Sequence, residues 1–381
     1  MSQRTDIGIG MVGYAFMGRA HSLAWNTVSR VFDVPLRPRL AAICGRDQAA
    51  ARAAADRLGW AAAETDWRAL IARDDVQLID ICAPGDLHAP IAVAALAAGK
   101  HVLCEKPLAN TLREAEAMKA AADAAYDRGA RAMVGFNYRR VPALALAASL
   151  VRDGRIGLLR HVRAVYLQDW LADADAPMTW RMEAERAGSG ALGDLGAHIV
   201  DLARYLTGDE ITGVSAVSAT FVGQRPQAGG GHGTVTVDDA VVFTARLASG
   251  ALASFEATRY ATGRKNGLRI ELNGSKGSLA FDLERLNELE FFDAGDNNAG
   301  AGGFRRILVT EGSHPYLSGW WPPGHTLGWE HTFTHQARDL LVALADGDQP
   351  RPSFADGLAV QRVLDAVQAS AANGNSWESV N

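Results

Sequence analysis

The sequence predicts an α/β protein with a doubly wound parallel sheet first and a mostly antiparallel sheet after it. Three observations predict this. Short apolar runs alternate with helical segments through the first third of the chain. Beyond Asp153 strand follows strand, with hairpin signals between them. The chain has 381 residues and is 48% hydrophobic, enough for two domains with sizeable cores.

The elements follow in order. Ile7 to Val12 is an apolar strand, followed by a glycine-rich turn and a helix from Phe16 to Val28. Leu40 to Cys44 is a second strand, and Asp47 caps an alanine-rich helix to Leu58. Gln77 to Cys82 is a strand ended by Ala83-Pro84-Gly85. A helix from Ala89 to Ala98 leads to the strand His101 to Cys104. Thr111 caps a helix to Arg128, and Arg131 to Val134 closes the series. Right-handed crossovers then put helices on both faces of a parallel sheet.

After a helix from Pro142 to Asp153, strands dominate: His161–Gln168, Val214–Phe221, Val241–Leu247, Leu252–Thr258, Leu268–Asn273, Leu279–Phe281 and Leu289–Phe292. Ala248-Ser249-Gly250 and the run Asn273 to Gly277 read as hairpin turns. The expected sheet is antiparallel, with helices on one face. Gly223–Gly233 and Gly295–Gly303 read as flexible glycine-rich insertions. Helices return over 329–345 and 355–371. The expected domains are residues 1–135 and 136–354, with a last helix over 355–372 packing back on the first.

Composition excludes several classes. The net charge is −5 and no basic run is present, which argues against nucleic acid. No apolar stretch reaches the roughly 18 residues that span a bilayer. Met1 to Asp6 lack a signal-peptide pattern, so the expected location is the cytoplasm. Cys44, Cys82 and Cys104 end strand-like runs and read as buried small hydrophobes.

The first strand runs into Gly13-Tyr14-Ala15-Phe16-Met17-Gly18, which sets Gly13, Ala15 and Gly18 on the three positions of a G-x-G-x-x-G fingerprint. A strand before and a helix after supply the context for a dinucleotide, whose phosphates would meet the helix N-terminus. The other reading is a plain structural turn. At the end of the second strand, Asp47 either accepts from a ribose hydroxyl or only caps its helix. Arg46 either faces a 2′-phosphate or stacks beside an adenine. Gly45-Arg46 therefore leaves NAD and NADP both open.

Glu105-Lys106-Pro107 follows an apolar strand directly. A lysine at the carboxyl end of such a strand sits where open α/β sheets bind ligands. The other reading is a salt bridge between Glu105 and a neighbouring base. Further on, Asp194 and His198 lie four apart on a predicted helix running to Leu206, on one face, with Asp201 on the next ridge. A histidine oriented by a carboxylate is an acid/base pair. A satisfied core histidine or a metal site are the alternatives, the metal disfavoured by the absence of a second ligand at the right spacing. Trp320, Trp321 and His325 form a loop suited to stacking on a sugar or to plugging a domain junction. Tyr138-Arg139 and Trp180-Arg181 are either crevice positions or arginines packed on aromatics.

The ordered set of fingerprint, Glu105-Lys106-Pro107, Gly135-Phe136-Asn137-Tyr138-Arg139 and Gly193-Asp194-Leu195-Gly196-Ala197-His198 resembles the Gfo/Idh/MocA oxidoreductases of sugars, inositols and related polyols. The resemblance covers essentially the full chain. It implies a Rossmann domain followed by an α+β domain whose large, mostly antiparallel open sheet makes a homodimer or homotetramer. It implies NAD as cofactor, a carbohydrate substrate, no metal and a catalytic set of Lys106, Asp194 and His198. Cofactor contacts would come from Gly13, Ala15, Phe16, Met17, Arg46 and Asp47, and from Pro84, His88, Glu105, Lys106 and Asn137. Substrate contacts would come from Lys106, Tyr138, Arg139, Trp180, Arg181, Asp194, His198 and His325. It further implies a cis peptide before Pro107. Ala15 stands where many relatives have glycine, and Gly45-Arg46 where NAD-specific members often have aspartate. The implied activity is hydride transfer between a secondary hydroxyl and the nicotinamide. An NAD-dependent glycosidase with transient oxidation at carbon 3, and a non-catalytic NAD(P) sensor, are the alternatives.

Overall fold

The computed structural model describes residues 5–296 and 300–381. Met1 to Arg4, and residues 297–299 of the predicted insertion Gly295–Gly303, lie outside the described residues. Contacts divide the chain into two compact units. One holds the described residues through Asn137 together with Gly328–Ala359; the other holds Tyr138–Leu327 and Val360–Asn381.

In the first unit the chain forms β1 (Thr5–Val12), α1 (Phe16–Val31), β2 (Leu36–Cys44), α2 (Gln48–Leu58), β3 (Ala62–Glu64) and α3 (Trp67–Ala72). β4 (Leu78–Ile81), α4 (His88–Ala97), β5 (His101–Cys104), α5 (Leu112–Tyr126) and β6 (Ala132–Val134) complete it. The sheet order is β3-β2-β1-β4-β5-β6, and every pair is parallel. This is the doubly wound order of dinucleotide-binding sheets. Leu78 to Ile81 is buried at every residue because helices cover both faces.

Local chemistry sets the helix limits. Asp47 accepts from Ala50 N at 2.7 Å, and Gly59 ends α2 with φ 84°. Thr111 and Glu114 form a reciprocal capping box on α5. β2 begins at Leu36 rather than Leu40 and so runs through Pro38. β3 pairs only with Ala42 to Cys44, so the outer side of Pro38 is an edge where a missing N–H costs nothing. β3 and α3 are not predicted by the sequence; they are too short to show a period.

The second unit starts with α6 (Pro142–Arg152), β7 (Leu159–Leu167) and α7 (Ala184–Ala187). A π turn over Leu192–Gly196 then leads into α8 (Ala197–Thr207). β8 (Ile211–Ala219), β9 (Gln224–Pro226), β10 (His232–Thr234), β11 (Ala240–Leu247) and β12 (Leu252–Thr258) follow. β13 (Gly267–Gly274), β14 (Gly277–Asp282), β15 (Glu288–Asp293) and β16 (Arg305–Leu308) extend the sheet. The chain ends with α9 (His331–Asp346), α10 (Phe354–Ala372) and β17 (Glu378–Ser379).

The nine-stranded sheet has the order β16-β15-β14-β13-β7-β12-β11-β8-β17. All pairs are antiparallel except β12 with β7. Burial alternates strictly along β11, with Val241, Phe243, Ala245 and Leu247 inside. Phe243 stacks on Phe255 at 4.6 Å, and α6 and α8 cover this inner face.

Three expectations change. The glycine-rich stretch Gly223–Gly233 is a hairpin of β9 and β10 rather than a free insertion. Gly229, Gly230 and Gly231 supply the left-handed turn, with φ of 109°, 97° and 79°. Residues 328–353 cluster with the first unit, where Val134 N donates to Pro352 O at 2.9 Å. The last helix belongs to the first unit only through Ala359. Its far end packs on β8, where Ala216 N donates to Ser370 Oγ at 2.9 Å. Among the described residues no helix is long and apolar enough to cross a membrane.

One buried base makes stability depend on pH. His101 Nδ1 accepts from Arg131 N at 3.1 Å, a contact only the unprotonated nitrogen makes. Burial, then the Arg131 charge, push its pKa down from 6.5 to about 4. Between those values the unfolded chain takes up a proton that the fold refuses. Stability is therefore lost as pH falls from 6.5 toward 4, by about 3 kcal/mol from this group. Thermal unfolding across that range should show a shallower acid loss in His101→Gln than in the unsubstituted protein.

Candidate active site

The first unit gathers the predicted cofactor residues at the carboxyl ends of its strands. Gly13 N donates to Cys44 O at 2.9 Å, and Gly13 has φ 100°. A Cβ there would lie 2.5 Å from the Cys82 carbonyl oxygen, so only glycine fits. A Cβ at Gly18 would lie 2.1 Å from the Gly13 carbonyl oxygen, which explains the third glycine. Ala15 is the N-cap of α1 with φ −74°, a conformation alanine adopts freely. The backbone here therefore requires no glycine for its conformation.

No side chain caps α1, and its first turn holds no acidic residue. Its leading N–H groups and positive dipole end fit the diphosphate of a dinucleotide. Phe16 is 61% exposed and stacks on Trp329 at 5.3 Å, while Met17 beside it is half-buried. Tyr14, which the sequence does not single out, lies over Gly45; a Cβ there would be 1.9 Å from its ring. Arg46 and Asp47 are exposed, with Asp47 engaged as the α2 cap.

Pro84 is half-buried just beyond β4. His88 is buried, with Nδ1 3.0 Å from Pro107 O and Nε2 3.0 Å from Ala83 O. Burial lowers its pKa, so the neutral ring donates from one nitrogen to one of these two carbonyl oxygens. Asn137 is buried and donates from Nδ2 to Thr332 Oγ1 at 2.8 Å. The Lys106–Pro107 peptide is cis, and Lys106 is half-buried.

Glu105 is buried and does form a strand-end ion pair: Oε1 lies 3.0 Å from His21 Nε2, and Oε2 accepts Lys106 N at 3.2 Å. His21 Nδ1 lies 3.0 Å from both Asp80 oxygens. Sequence reasoning missed His21 and Asp80. The available signal was an aspartate inside the apolar run Leu78-Ile79-Asp80-Ile81, because acids are rarely fully buried without a partner. His21, Asp80 and Cys82 also bring ligand atoms within 4.8 Å of one another. Burial pushes the Cys82 thiol up, so it is neutral beside His21.

The second unit carries its own cluster. Tyr138 and His198 rings lie 4.6 Å apart, and Tyr166 is 5.8 Å from His198. The Tyr138 and Tyr166 hydroxyls are 2.8 Å apart, and Tyr166 donates to Asn266 Oδ1 at 2.7 Å. Gln168 Nε2 donates to the same Asn266 oxygen at 2.7 Å. Burial, then Tyr138 and Asp194, raise the Tyr166 pKa well above 10, so this phenol stays neutral. Tyr166, Gln168 and Asn266 carry no sequence signal beyond strand periodicity.

Asp194 sits on the π turn, not on the α-helix that the i,i+4 spacing with His198 predicts. Asp238 anchors the start of this turn: its two oxygens accept Gly190 N at 2.7 Å and Leu192 N at 2.8 Å. Such turns recur at functional sites. Arg139 is held in a buried pair with Asp201, at 2.9 and 2.6 Å. Arg181 lies over Trp180 at 4.5 Å, as the packing alternative expects. His325 is exposed in its loop, with Nδ1 2.8 Å from Pro322 O. The structure thus brings Tyr138 and His198 together, and leaves His325 in its exposed loop.

Two family models match the chain. An oxidoreductase family model with an NAD-binding Rossmann fold matches residues 7–136, and the GFO/IDH/MocA C-terminal domain matches residues 144–280. The chain belongs to the Gfo/Idh/MocA oxidoreductase family. It is 42% identical to levoglucosan dehydrogenase of Pseudarthrobacter phenanthrenivorans, over 98% of each chain. A crystal structure of an oxidoreductase domain protein from Kribbella flavida is 62% identical, with TM-score 0.97, covering 99% of this chain and 100% of that one. A structure of levoglucosan dehydrogenase with NADH and levoglucosan is 42% identical, with TM-score 0.95 and the same coverage.

Two substitutions test this geometry. Gly13→Val should weaken NADH binding at least ~10-fold in a fluorescence titration while the circular dichroism spectrum is kept. Asp201→Ala leaves a buried guanidinium without its carboxylate and should cost about 3–5 kcal/mol in denaturant unfolding.

Proposed function

We propose that this protein is an NAD-dependent dehydrogenase that oxidises a secondary hydroxyl of a sugar or anhydro-sugar, with levoglucosan the first substrate to test. The supporting observation is its likeness along the whole chain to levoglucosan dehydrogenase, which has been solved with NADH and levoglucosan. Lys106, Asp194 and His198 stand ready as the polar groups such a reaction needs.

Bound NAD supplies the hydride acceptor. His198 takes the hydroxyl proton as the carbon–oxygen double bond forms. Asp194 orients the imidazole. Lys106 donates a hydrogen bond to the reacting oxygen and stabilises its developing negative charge. Tyr138 and Tyr166 hold the His198 ring from the side, and the neutral Tyr166 hydroxyl adds no competing charge. The leading N–H groups of α1 hold the diphosphate. The enzyme works in the cytoplasm as a homodimer or homotetramer, joined through the outer face of the nine-stranded sheet. Val217, Val242 and Leu252 support that face, being about half exposed on its strands.

With NAD and levoglucosan, NADH should accumulate mole for mole with oxidised sugar, followed by absorbance. Sugar released from an aryl glycoside without net NADH would move the assignment to a redox-neutral hydrolase. NAD binding without turnover on any sugar of a panel would leave a sensor. Lys106→Ala and His198→Ala should each lose at least ~100-fold in kcat while still binding NAD. Near-normal turnover in both would refute the assignment.

A further inference from the structure

Lys106 leaves the end of β5 beside a buried ionic cluster. His21 and Trp25 come from α1, Asp80 from β4 and Glu105 from the end of β5. Exposure is 2% for His21, 0% for Asp80 and 5% for Glu105. Trp25 Nε1 donates to Asp80 Oδ2 at 2.7 Å, which holds that carboxylate in place. His21 then spans the gap, with one ring nitrogen 3.0 Å from Asp80 and the other 3.0 Å from Glu105.

A neutral imidazole has one N–H and one lone pair. A carboxylate facing each nitrogen is matched at both ends only by the doubly protonated ring. Other groups facing His21 are Cys82, a neutral thiol, and the Phe333 ring at 5.2 Å. Burial works against the imidazolium, the Asp80 carboxylate favours it, and His21 stands well above its ordinary range. An apolar trio of the same volume would stabilise a core at least as well as three buried ionic groups. Stability therefore does not account for the cluster, whereas its position does: the second oxygen of Glu105 holds the backbone N–H of Lys106.

We propose that His21 is a positioning residue for Lys106: clamped between Asp80 and Glu105, it locks the Glu105 carboxylate, which in turn sets the backbone from which the lysine projects. This deepens the function proposed above and rests on Lys106 being the hydroxyl-binding cation. His21 touches no substrate in this scheme. A lysine released from its setting by even about 1 Å loses up to ~100-fold in rate.

The test uses the full chain, NAD and levoglucosan. His21→Gln keeps hydrogen bonding to one carboxylate but cannot carry the charge. It should lower kcat about 10- to 100-fold, with substrate KM and NAD affinity each within about threefold of the parent. Glu105→Gln should lower kcat to the same extent. Near-parent kcat in both variants overturns the proposal, as does a loss of NAD affinity as large as the loss of kcat. Lys106→Ala runs beside them: full turnover there refutes the role of the lysine itself, whereas its loss with active His21→Gln refutes only the clamp. A readout independent of turnover, and of whether the variants fold, is 15N NMR of histidine-labelled parent protein without cofactor. Both His21 nitrogens should stay protonated between about pH 6 and 8, and a singly protonated ring across that range overturns the proposal.

Discussion

Parallel pairing is the constraint on which the first unit depends. Because β1, β2, β4 and β5 run in one direction, their carboxyl ends share one edge of the sheet. The loops leaving that edge carry Gly13, Gly45, Pro84 and Lys106. Backbone contact between those loops is close: Gly13 bonds to Cys44 and lies against Cys82. The same pairing sets Asp80 and Glu105 on neighbouring strands, near enough for one imidazole to bridge them. Reversing one strand would scatter these groups to opposite edges. A nucleotide-binding turn and a charged strand end therefore come as one consequence of topology.

The second unit solves a different problem, that of holding a histidine still. Its sheet buries one face, so alternate residues of β7 and β13 project toward α8. Tyr166 uses such a position to reach Tyr138 and Asn266 at once. The ring of His198 is thereby walled by two phenols whose hydroxyls are already engaged. Arg139 and Asp201 neutralise one another beneath the same helix. Truncating either partner would leave a bare buried charge, which is costlier than never having had the pair. Asp194 lies near enough to this cluster to raise the Tyr166 pKa further.

Much of the fold was legible because its signals are local. The limits of α2 and α5 follow from Asp47, Gly59 and the Thr111–Glu114 box, each acting within four residues. The fingerprint turn is equally local, since φ 100° at Gly13 is a property of one residue that only glycine meets cheaply. Strand alternation in β11 to β13 reports one buried face without naming the partner. Edge strands such as β16 escape this logic, since exposure on both faces leaves no period to read. The glycines of Gly223–Gly233 marked a turn correctly but said nothing of the three-residue strands beside it.

The sequence by itself determined the order of the longer elements, the change from a parallel to a mostly antiparallel sheet, and the turn able to bind a dinucleotide. Tertiary structure alone decided what the side chains touch. Glu105 meets His21 across 84 residues of chain, and Tyr138 meets Tyr166 across 28. Arg139 is paired with Asp201, 62 residues later, and the start of the turn bearing Asp194 is anchored by Asp238. Backbone preferences and periodicity are written in a few adjacent residues. Side-chain partnerships depend on strand order and register, which exist only once the sheets have formed.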